Sequence, residues 1–200
     1  MSSDPIAWDK RADASRNVYP GQAAVRTDNQ WNYSDISKQI DGARVDGLLD
    51  ATMAAASANG LKVSWPLAIA SRESNMRLTA LGDKGAAYGP WQQHPPTRVA
   101  PSQFYDPDFA ANYTCQALAR ILLDLRRDFP GVDDNILELL LYGAWNRGER
   151  GEEQNYRNSP DHDPSQGTAF NDYPSDTRWR RLAIDDILGA VATGDPGEGV

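Results

Sequence analysis

The sequence predicts a mainly α-helical domain. Apolar residues recur at helical spacing in separate stretches across residues 42–192. Start and stop signals bracket two of those stretches: Asp106-Pro107 and Pro130-Gly131 around one, Asp133-Asp134 and Asn146-Arg147-Gly148 around the next. No segment alternates polar and apolar residues for long enough to stand as a convincing strand, and there is no internal repeat or low-complexity block.

Residues 1–40 are polar and irregular, and read as an extended arm whose Trp8, Tyr19, Trp31 and Tyr33 fasten it to the domain or to a partner. The domain proper is expected over residues 41–192, with a loose tail at 193–200. Residues 42–59 read as one helix, with Val45, Leu48, Leu49, Thr52, Met53 and Ala56 on one side and Gly60 as its stop.

The following helix is the one that points to chemistry. Ser64 is placed to cap it, and Pro66 fits a first turn, where the missing N–H has no partner. Pro66, Ile69, Ala70 and Glu73 then share one face. That face is apolar except for Glu73, so a carboxyl sits at the inner end of a core-facing stripe. Desolvation there disfavours the carboxylate and raises its pKa. A carboxyl protonated near neutral pH can act as a general acid. The plain alternative is a frayed helix end with Glu73 solvated or paired with Arg72 or Arg77.

Residues 77–105 form a long segment rich in Gly, Pro and Gln, and its Tyr88, Trp91, Phe104 and Tyr105 argue for an ordered, functional loop. Residues 107–129 carry Phe109, Tyr113, Ala117, Leu118, Ile121, Leu122, Leu125 and Phe129 at helical spacing, with Cys115 as a small core residue. A helix capped by Asp133 or Asp134 follows. Its stretch ILELLLYGAW is apolar almost all round, which predicts a central helix surrounded by others. Residues 149–174 read as a second polar loop, and Ser175 as the cap of a last amphipathic helix with Trp179, Leu182, Ala183, Ile187 and Leu188 inward.

Composition narrows the function. A chain of 200 residues with 40% apolar content makes one domain with a sizeable core. Its net charge of −8 is spread along the chain, which argues against general nucleic-acid binding and against adhesion to anionic membranes. The longest near-apolar run, residues 136–145, contains Glu138 and is too short to span a bilayer. Residues 1–16 carry charges where a signal peptide needs an apolar core, so leaderless delivery is expected. A single cysteine forms no internal disulfide.

Three pieces carry chemistry, in chain order. Glu73-Ser74 supplies an acid with a hydroxyl beside it. Gly85-Ala86-Ala87-Tyr88-Gly89-Pro90-Trp91-Gln92 is a glycine turn that lets backbone approach a ligand closely. There Tyr88 and Trp91 offer faces to sugar rings, and Gln92 a donor and an acceptor. Ala144-Trp145-Asn146-Arg147-Gly148 ends the central helix with an aromatic and an amide.

Together these blocks resemble the lysozyme-like superfamily, in particular the soluble lytic transglycosylase domain and its goose-type lysozyme relatives. That family reads as Glu-Ser at a helix end, a Gly-Ala-x-Gly-Leu-Met-Gln turn, and Ala-Tyr-Asn-Ala-Gly after a buried helix. The resemblance covers roughly residues 60–150. It implies a helical domain with a glycan groove that cleaves the β-1,4 bond between N-acetylmuramic acid and N-acetylglucosamine in peptidoglycan. Glu73 takes the general-acid position, Ser74 the polar position beside it, Gln92 the turn glutamine and Asn146 the asparagine of the third block. A transglycosylase closes an anhydro ring with the muramoyl 6-hydroxyl. A hydrolase admits water and usually needs a second carboxylate, for which Asp83 is the candidate, beside its plain reading as a turn aspartate.

The departures are Pro90-Trp91 for Leu-Met, Ala86 for a usual glycine, and Trp145 where the family often has a tyrosine that bonds to the acid. Tyr142, one helical turn earlier, is expected to take that bond.

No metal or organic cofactor is expected. Asp161-His162-Asp163 reads as a solvated loop, and His94 as loop packing or a groove-edge contact. The two histidines form no zinc-protease pattern, and no nucleophile elbow or phosphate-binding loop is present. Residues 149–174 are expected to border the groove. A second reading is a structural or adaptor component of a phage or secretion assembly built on the same fold and docked through residues 1–40. A wall-cleaving part of a phage particle combines the two, and a secreted muramidase effector is a third version.

Overall fold

A computed structural model describes residues 33–148, 151, 157 and 173–193, and these are mainly α-helical. The helices are α1 (Tyr33–Val45), α2 (Leu48–Ala58), α3 (Ser64–Ser74), α4 (Pro107–Asp128), α5 (Asp134–Arg147) and α6 (Tyr173–Thr193). Between α3 and α4 lies an antiparallel hairpin of β1 (Leu81–Gly82) and β2 (Ala87–Tyr88), in which Leu81 pairs with Tyr88 and Gly82 with Ala87.

Helices α4 and α5 begin where their sequence signals put them. Asp106 accepts from the Phe109 N–H at 2.8 Å, with Pro107 in the first helical position. Asp133 accepts from the N–H groups of Asn135 and Ile136. From Leu137 to Ala144 every residue of α5 is buried, as its all-round apolar pattern requires. Its one charge there, Glu138, is held by two hydrogen bonds from Arg181 of α6 at 2.9 and 3.0 Å. Helix α6 also packs along α3, and α4 packs on α2. The Cys115 thiol is fully buried in the core of α4, and burial pushes its pKa up to about 12.

Four local expectations are corrected. The helix expected over 42–59 breaks at Gly47, whose φ of 74° lies in the left-handed region that only glycine adopts cheaply. Val45, on the far side of the break, is 86% exposed, and Met53, beside the buried stripe of α2, is 48% exposed rather than inward. The arm expected over 1–40 is helical from Tyr33, because Ile36 and Ile40, four apart, both enter the core. Residues 1–32, with Trp8, Tyr19 and Trp31, lie outside the described residues, as does the tail from 194.

Ser64 does not cap α3. It is the first helical residue, buried, with no hydrogen bond to its hydroxyl, and Val63 before it is already in the right-handed helical region. The last helix starts at Tyr173, with Pro174 in its first turn, so Ser175 is inside the helix rather than at its cap.

Candidate active site

Helix α3 is buried at every residue from Ser64 to Ser71, which makes it a central rod with Glu73 in its last turn. Asn75 and Met76 end it abruptly. Both have positive φ, 56° and 58°, and the Met76 N–H closes on the Ala70 carbonyl at 3.0 Å in a Schellman-type stop. Glu73 therefore sits where the core meets solvent, at the negative end of the helix dipole.

Burial holds the Glu73 carboxyl above its usual value of 4.5, as the stripe predicts. The charge of Asp83 pushes the same way, while a hydrogen bond from Tyr173 and the Arg72 guanidinium pull it back. The Tyr173 phenol donates to Glu73 Oε1 at 2.6 Å. Burial raises the phenol's own pKa well above 10, so it stays a donor at neutral pH.

This is the partner expected of Tyr142, and the expectation is corrected. Tyr142 is fully buried on α5 beside Glu138, away from the acid. Tyr173 escapes the sequence reading because it falls within the presumed polar loop. The signal was Pro174, which marks a first turn and so a helix start at Tyr173.

Behind Tyr173 lies a buried ionic network. Asp176 accepts a hydrogen bond from Arg180 Nε at 2.9 Å and lies 3.0 Å from Arg72 Nε in an ion pair. Arg180 also donates to Ser71 Oγ at 2.9 Å, and Ser71 in turn to Gln39 Oε1 at 2.6 Å. The Arg72 guanidinium lies 5.3 Å over the Tyr173 ring. Three helices thus lock the phenol in place.

The glycine turn is stapled to both ends of α3. Ser74 Oγ donates to the Pro90 carbonyl at 2.8 Å, and the Trp91 indole N–H donates to the Pro66 carbonyl at 2.7 Å. These bonds correct two assignments. Ser74 is 4% exposed and Trp91 1%, so neither presents a polar group or a ring face to a sugar; they are the joints that fix the turn. Tyr88 is also reassigned: its hydroxyl donates to the Gly85 carbonyl at 2.6 Å and its ring packs 6.0 Å from that of Tyr105, aside from the cleft. The turn needs glycine at Gly89. A Cβ there, at φ 72°, would strike the Phe104 backbone carbonyl, whereas one at Gly82 would meet only the movable end of the Gln92 side chain.

Glu73 opens into a cleft of about 740 Å³. All three sequence blocks meet there. The first gives Glu73; the hairpin and turn give Gly82, Asp83, Ala87, Gln92 and an edge of Trp91; α5 gives Ala144, Trp145 and Asn146. Trp145 is half-buried and Asn146 exposed. Gln92, at φ 48°, is held by a bond from Nε2 to the Gly89 carbonyl at 3.0 Å. Asp83, at φ 46°, is exposed at the cleft rim and pairs with His94 Nε2 at 3.0 Å. Strained backbone at both Asp83 and Gln92 is a cost that surrounding structure must impose. Helix α4 supplies the opposite wall through Tyr113, Ala117, Arg120 and Ile121, which lie on one helical face; the sequence reading had not assigned this wall.

Among the described residues no cluster of His, Cys, Asp and Glu could hold a metal ion, and no helix is long and apolar enough to cross a membrane. Asp161-His162-Asp163 and nearly all of the 149–174 loop lie outside the described residues. The chain matches no family model and no curated protein.

Proposed function

We propose that the chain cleaves peptidoglycan at the β-1,4 bond between N-acetylmuramic acid and N-acetylglucosamine, with Glu73 as general acid. The observation that carries this reading is the convergence of the three blocks, from residues 73, 82–92 and 144–146, on one cleft whose acid burial pushes towards the protonated form. An open cleft with amides at its edge suits a glycan strand better than an enclosed pocket would.

Glu73 gives its proton to the glycosidic oxygen as the C1–O bond breaks, and charge develops at C1 of the muramoyl ring. Asp83 faces the same cleft, and its field reaches Glu73. This favours hydrolysis over internal closure. Asp83 takes a proton from water as the water oxygen bonds to C1, leaving a reducing end. Gln92 and Asn146 would orient hydroxyl and acetamido groups. The test is solubilisation of purified peptidoglycan by the wild type and by Glu73→Gln, which keeps size and hydrogen bonding but has no titratable proton. Solubilisation lost in the variant supports the reading. A well-folded wild type inactive on several peptidoglycan chemotypes overturns it in favour of a structural role.

A further inference from the structure

The cleft's two acids each have a neighbour already: Glu73 accepts from Tyr173, and Asp83 lies 3.0 Å from His94 Nε2. Arg120 does not share in this. It projects from α4 into the same cleft and, among the described residues, has no hydrogen-bond or ion-pair partner. Asp124, one helical turn on, is engaged by Arg127 at 2.6 Å. The helical neighbours of Arg120, namely Tyr113, Ala117 and Ile121, make this wall of the cleft largely apolar. In a chain of net charge −8, an uncommitted guanidinium in the cleft is set against the prevailing sign.

A guanidinium presents a planar fork of donors that matches a carboxylate in a bidentate pair. N-acetylglucosamine carries no charge. The muramoyl residue carries a lactyl arm that ends either in a free carboxylate or in a peptide bearing carboxylates. We propose that Arg120 is a specificity-determining residue that binds a carboxylate on the lactyl arm of the muramoyl sugar, and so sets the register of the strand relative to Glu73. The proposal rests on the peptidoglycan-cleaving reading above and names the substrate group that one wall of that cleft selects.

The test compares wild type, Arg120→Gln and Arg120→Lys on three soluble glycan substrates. The first carries stem peptides. The second has been stripped by an amidase, leaving lactyl carboxylates. The third is the stripped strand with its carboxylates converted to neutral methylamides. The proposal expects Arg120→Gln to raise KM about tenfold on a carboxylate-bearing strand with kcat little changed, and to have no effect on the neutral strand. Arg120→Lys should recover part of the loss. An effect on stripped strands identifies the lactyl carboxylate; an effect confined to the first substrate identifies a stem-peptide carboxylate. Equal losses on all three substrates, or none on any, overturn the proposal while leaving the cleavage reading intact. A folded wild type that cleaves none of them overturns the cleavage reading itself.

Discussion

The Tyr173 phenol donates a 2.6 Å hydrogen bond to Glu73 Oε1, joining residues 100 positions apart in the chain. The bond favours the charged form of Glu73 against the burial that opposes it. Tyr173→Phe removes it while leaving the ring in place. The Glu73 pKa should then rise further, moving the alkaline limb of the kcat/KM profile to higher pH, because the acid must be protonated to act. Activity at the optimum should fall about tenfold through lost positioning. A pH–rate profile of the variant checks both.

Asp83→Asn gives the opposite sign. The Asp83 charge raises the Glu73 pKa, so its removal should move the alkaline limb to lower pH. If Asp83 also activates water, kcat should fall by a factor of about 100 or more. The same profile, run beside that of Tyr173→Phe, separates the two effects by direction.

Stability should register the strained acid as well. The folded pKa of Glu73 is raised above 4.5, so the folded state prefers the protonated form. That contribution is fully present below the unfolded value and is lost as pH rises through the folded one. Glu73→Gln should therefore melt higher than wild type at pH 7, with the difference vanishing in acid. Thermal melts at the two ends of that window measure it.

Trp91 tests the stapled turn. Its indole is buried and bonded to the Pro66 carbonyl, so Trp91→Ala should cost about 3–5 kcal/mol in urea unfolding. Ser74→Ala, which frees the Pro90 carbonyl, should cost about 1–2 kcal/mol. Were Trp91 instead a sugar platform, Trp91→Ala would weaken glycan binding and leave the unfolding midpoint unchanged.

Sequence alone made the acid, the central apolar helix and the order of the three blocks legible, because helical periodicity and burial are written locally. The Asp106 and Asp133 caps were legible for the same reason. Long-range partners were not. Nothing near Glu73 in the chain points to Tyr173, and nothing near Asp176 shows that it pairs with both Arg72 and Arg180. Trp91 was misread because an aromatic in a polar, glycine-rich loop looks exposed. What buries it is the approach of the turn to α3, which only the fold provides. Gly47 was missed because one glycine inside a helical pattern is often tolerated; here its positive φ turns the chain.

The role of Glu73 is tested by weighing the fragments released from purified peptidoglycan by wild type and by Glu73→Gln. Reducing muramoyl ends are expected from the wild type and none above background from the variant. Equal release by both proteins would contradict that role, because Glu73 would then have no part in the cleavage.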